Sequence, residues 1–146
     1  MSNISINCLD PTEMKTTRAI LLGIDIWIIC LIICLISYTI PVLESSNTQA
    51  NIVLFVIVIP LVWFASSLYY KVDTQTHGLI IGHTMLAAAI FLQTLLIIPF
   101  YIISNGGIHY GFFTTLSFWI IVFEFLLVAT LYWYIRIYPQ IKSSKQ

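Results

Sequence analysis

The stretch FWIIVFEFLL, residues 118–127, holds one carboxylate, Glu124, among phenylalanine, tryptophan and branched aliphatic side chains. An acid there has chemistry open to it only if something supplies a proton, a cation or a hydrogen bond. Three readings follow. Glu124 hydrogen-bonds another helix and fixes the packing. Or it loads and releases a proton or cation, as intramembrane carboxylates do in relays. Or it meets a partner, such as a second copy of the chain or another membrane protein. Gln93 and Thr94 lie at a similar depth, about 22–24 Å from one end against about 18 Å for Glu124 at 1.5 Å per residue, so Gln93 is the expected hydrogen-bond partner. A second polar layer is shallower. Asp25, His83 and Ser66 or Ser67 all fall about 6–10 Å in, on three different apolar runs. Asp25, His83, Gln93 and Glu124 are expected to form a buried polar track that is structural in the first place. In the alternative, transport reading, Asp25 and His83 form the inner access layer to Glu124, since histidine titrates near neutral pH.

The elements that must position these groups are membrane spans. Of 146 residues, 60% are hydrophobic and 8% charged, and the mean hydropathy is +0.98. A soluble domain carries about a quarter charged residues, and a chain this short cannot bury so much apolar surface in water. Four runs are long enough to cross about 30 Å of hydrocarbon: residues 19–40, 52–70, 78–103 and 112–135. Backbone groups in lipid must be satisfied within the segment, and the runs do not alternate as barrel strands do. The connections are short, so neighbouring helices run in opposite directions. The expected fold is an all-α membrane protein, an antiparallel four-helix transmembrane bundle.

All six Lys and Arg residues flank the runs on one side: Lys15 and Arg18, Lys71, then Arg136, Lys142 and Lys145. The positive-inside rule makes that side the cytoplasm. Both termini are then cytoplasmic, with residues 1–18 as an N-terminal segment and 136–146 as a basic tail. Tyr69, Tyr70 and Tyr132–Tyr134 mark the inner headgroup level, and Tyr101, Tyr110 and Phe112 the outer. The first run ends without a small-residue cleavage site, so it reads as a retained span. Asp10-Pro11-Thr12-Glu13 has the pattern of a helix start, with Pro at the first helical position. Pro60 and Pro99 fall inside runs and each removes a backbone bond.

Gly78 and Gly82, in GLIIG, form a small-xxx-small pattern that lets helices approach closely. They predict that the third span packs between the first and fourth, as the central helix. No catalytic residue is assigned, and the chain is not expected to be an enzyme: depth alone does not make Asp25, His83 and a serine a hydrolytic triad. No metal is expected, because Cys30 and Cys34 are spaced C-x3-C and no H-E-x-x-H occurs. No cofactor is expected either. A net charge of zero argues against nucleic acid. The expected partners are the lipid bilayer and a homo-oligomer or another membrane protein.

The segments LVWFASSLYYKVDTQTHGLIIG, IIPFY and FFTTLSFWIIVFEFLLVATLYWY resemble a family of small bacterial four-span membrane proteins of uncharacterised function. The likeness covers most of residues 14–138. It is carried by Tyr69-Tyr70-Lys71, Thr76-His77-Gly78, Pro99 and Phe118-Trp119 with Glu124. It implies a bacterial plasma-membrane protein with four spans and supplies no activity.

Overall fold

The structure is a computed structural model that describes residues 11–40, 42, 46–97, 99 and 115–144. Apart from turns such as residues 71–77, those residues are helical, and none of them is in a strand. Helix α1 is Pro11–Thr39, α2 is Ser46–Tyr70, α3 is Gly78–Leu92 and α4 is Leu116–Tyr132. Helix α3 runs on through a π-helical turn, Gln93–Ile97. Helix α4 continues through a second one, Trp133–Ile137, into the short α5, Tyr138–Ser143. Among the described residues, four stretches are long and apolar enough to cross a membrane: Thr12–Ser37, Thr48–Tyr70, Gly78–Leu96 and Leu116–Ser143.

Local sequence explains the ends and irregularities. Helix α1 begins at Pro11, whose fixed φ suits a first helical position, and Glu13 adds an acid to the first turn. Asp10 lies outside the described residues. His77 caps α3 from an extended backbone, its Nδ1 accepting from Leu79 N at 3.2 Å. Helix α2 is unbroken through Pro60. Each π-helical turn ends two residues before a proline, Pro99 or Pro139. A proline ring crowds the carbonyl four residues back and supplies no N–H to it, and a widened turn relieves both.

The helices form a four-helix bundle in which each packs against two others: α1 on α2 and α3, and α4 on α2 and α3. This is a ring, so α3 touches α1 and α4 but is not central; α2 fills the fourth corner. Arg18 Nη2 donates to the Leu68 carbonyl at 2.9 Å near one end of the α1–α2 pair. Near the other end, Gln49 Nε2 donates to the carbonyls of Ser37 (3.0 Å) and Ile40 (2.8 Å). Val62, Ile81 and Met85 are fully buried at the centre. The outside is apolar: Phe64, Phe91, Trp119 and Phe123 are all more than half exposed. That inside-out distribution suits lipid, which satisfies apolar surface and forbids open backbone.

Glycines set the closest approaches. A Cβ on Gly23 of α1 would overlap the Met85 carbonyl of α3. One on Gly78 would fall 2.5 Å from Trp133 Cβ and 2.8 Å from the Ala129 carbonyl oxygen. At Gly82 the nearest atom is Ala129 Cβ, at 3.0 Å.

Candidate functional site

Glu124 comes from the middle of α4 and is 8% exposed. Among the described residues, neither carboxyl oxygen has a hydrogen-bond partner. Its level in the bundle follows from the glycine contacts. Gly78 meets Ala129, Thr130 and Trp133, and Gly82 meets Leu126 and Ala129. One further turn along α3 brings Met85 and Leu86 level with Glu124. Met85 is the residue that backs onto Gly23 of α1. The carboxyl therefore sits at the apolar waist of the bundle. A charged acid at the centre of a membrane helix costs about 2.5–3.5 kcal/mol on insertion scales, and a buried polar group without a hydrogen bond is costly in either state. Proton, cation or water are the chemical means of relieving that cost.

Gln93 is not its partner. Gln93 Oε1 accepts from Trp27 Nε1 at 2.9 Å, tying the end of α3 to α1. The other two residues of the expected track face outward. Asp25 is exposed on α1. His83 is exposed on α3, and its Nδ1 donates to the Leu79 carbonyl one turn back, at 2.9 Å. Ser66, by contrast, is 1% exposed inside the bundle, its hydroxyl unpaired among the described residues. Depth counting put Asp25, His83 and Ser66 at one level, but level says nothing of azimuth. Two point out and one points in. No hydrogen bond among the described residues joins Asp25, His83, Gln93 and Glu124.

The densest polar cluster lies elsewhere, at the turn between α2 and α3. Asp73 is buried there. Its Oδ1 pairs with Lys15 Nζ of α1 at 3.1 Å and accepts from Gln75 N at 3.2 Å. Its Oδ2 accepts from the hydroxyls of Thr76 and Tyr69, the latter at 3.3 Å. Tyr70 OH donates to the Thr76 carbonyl at 3.0 Å. The bond from Gln75 N is an Asx turn, in which an aspartate mimics a backbone turn. D-T-Q-T between two apolar runs carries that signal in sequence, but Lys15, 58 residues away, does not. Burial works against the Asp73 carboxylate. The Thr76 hydroxyl, Gln75 N–H and Lys15 outweigh it and hold the group below the usual carboxylate range.

The sign of the pH effect follows. A folded-state value below the unfolded one, about 3.9, gives stability that is present above that pH and is lost as pH falls through the folded value. Asp73→Ala is expected to cost about 1–3 kcal/mol at pH 7. In thermal melts the gap from wild type should narrow as pH falls below about 4. A gap that stays constant down to pH 2 would assign the loss to packing rather than to the charge.

Trp133, Tyr132, Trp63 and Tyr70 build an aromatic band beside this turn. Trp63 meets Tyr132 edge-on at 4.9 Å, Tyr70 stacks on Tyr132 at 5.9 Å, and His77 lies 4.1 Å from Trp133. Cys30 and Cys34 are free, half-buried thiols; Cys8 and His109 lie outside the described residues. Among the described residues, no three His, Cys, Asp or Glu side chains converge as metal ligands would.

The model of a family of unknown function, DUF5367, matches residues 42–135. The match takes in α2, the Asp73 turn, α3 and the whole of α4 with Glu124. No curated protein and no solved structure matches the chain.

Proposed function

The chain belongs to DUF5367, a family of unknown function, and from its geometry we propose that it is a proton- or cation-handling membrane protein with Glu124 as the exchanging group. The observation that carries this reading is the buried Glu124 carboxyl, both of whose oxygens are unpartnered among the described residues. A purely structural acid would be expected to hold a hydrogen bond across the bundle, and Gln93 lies about two turns further along α3 than the Met85–Leu86 level of Glu124.

The fold is read as an antiparallel bundle in a bacterial plasma membrane, with both termini and the Asp73 turn on the cytoplasmic side. Support comes from the six cations flanking that side and from the hydrogen bonds that join the start of α1 to the end of α2 and the reverse. The interior is filled by Val62, Ile81 and Met85, so the working unit is taken to be a homo-oligomer. No covalent catalysis is assigned to it.

Carbodiimide labelling of the purified protein across pH tests the reading, because the reagent attacks protonated carboxyls in apolar surroundings. Glu124 is expected to be modified, with labelling falling along a titration curve as pH rises and with protection by a transported cation. A folded protein in which Glu124 is inert, or labels equally at every pH, would sink the proposal.

A further inference from the structure

A second feature, independent of Glu124, lies between α2 and α4. A cleft of about 590 Å³ opens there. Its mouth carries Lys71 and Arg136, and its wall is built from Trp63, Phe64, Tyr132 and Pro60. Both cations are exposed, and neither has an ion-pair partner among the described residues. No carboxylate lines the cleft. The contrast with Lys15 is informative: it sits at the same end of the bundle but is already paired with Asp73.

We infer that this cleft binds one anionic phospholipid, its headgroup phosphate held by Lys71 and Arg136 and the upper part of an acyl chain laid along Trp63 and Phe64. The charges argue for an anion, since basic pockets between membrane helices on the cytoplasmic side suit acidic headgroups. Arginine offers a planar fork that takes a phosphate through two hydrogen bonds. The length argues for a lipid rather than a free anion. Pro60 and Lys71 are both in the lining, and the helix rises about 16 Å between them. A phosphate would fill only the mouth and leave the aromatic wall bare. The inference rests on the membrane orientation proposed above and not on the chemistry of Glu124.

Native mass spectrometry of the detergent-purified protein tests it, with phosphatidylglycerol, phosphatidylcholine and inorganic phosphate as the probes. One phosphatidylglycerol should be retained at least tenfold more tightly than phosphatidylcholine. The K71Q/R136Q variant should lose that preference, while K142Q, outside the cleft, keeps it. Both substituted side chains are exposed, so helical circular dichroism should be unchanged; should the double variant misfold, K71Q and R136Q singly carry the comparison. Equal retention of the two lipids, or a preference that survives both substitutions, would overturn the assignment. Displacement of the lipid by inorganic phosphate at equal concentration would also overturn it, in favour of a soluble anion.

Discussion

Glu124→Leu is expected to make the detergent-solubilised bundle more stable, by about 1–3 kcal/mol, the usual cost of a buried polar group left unsatisfied. The two side chains are similar in size, so neither a cavity nor overpacking should offset the gain. The neighbours at that level, Phe125, Val128 and Met85, are buried and apolar. Glu124→Gln should gain less, because the amide remains polar and unpartnered, and both variants should lose carbodiimide labelling at that position. The measurement is the melting temperature of the two variants against wild type in the same detergent. A stabilised but unlabelled protein is the pattern of a functional group held at the expense of the fold. If Glu124→Leu instead lowers the melting temperature, the carboxyl makes a stabilising contact in the assembled protein, and a partner-binding role replaces proton exchange.

The second large effect concerns Gly23. Substitution by valine should destabilise the bundle by about 3 kcal/mol, at the upper end for overpacking a filled interior. The reason is that the new Cβ meets the Met85 main-chain carbonyl, which cannot rotate aside. Gly78→Val should cost a similar amount, because Trp133 Cβ and the Ala129 carbonyl stand in the way. Gly82→Ala should be milder, since its nearest neighbour is the Ala129 side-chain methyl carbon at 3.0 Å. The ranking is checked by thermal denaturation of the three variants. A Gly23→Val protein as stable as wild type would mean that α1 and α3 are not in contact through this glycine. The consequence reaches Gln93 as well, because the Trp27–Gln93 bond depends on the same α1–α3 approach.

The inventory of spans is legible along the chain without the fold. Four apolar stretches were readable because lipid demands that each backbone bond close within its own segment, and length then decides which runs can cross. The start of α1 at Pro11 was readable for a similarly local reason, a proline at the first helical position. A proline by itself does not decide a π-helical turn: one precedes Pro99 and another Pro139, while α2 stays regular through Pro60.

Which helix faces touch is set only when the bundle packs. These helices are apolar nearly all the way round, so no polar face marks an outside and no stripe marks an inside. Depth along a helix can be counted from sequence, but azimuth cannot. That is why Asp25 and His83 could be expected beside Glu124 and yet are exposed. It is also why Gln93 could be matched with Glu124 by depth when its partner is Trp27, 66 residues away. Lys15 with Asp73, Arg18 with Leu68 and Gly23 with Met85 are pairings of the same kind. Each depends on how two surfaces far apart in the chain interlock, and that complementarity exists only once the ring of four helices has closed.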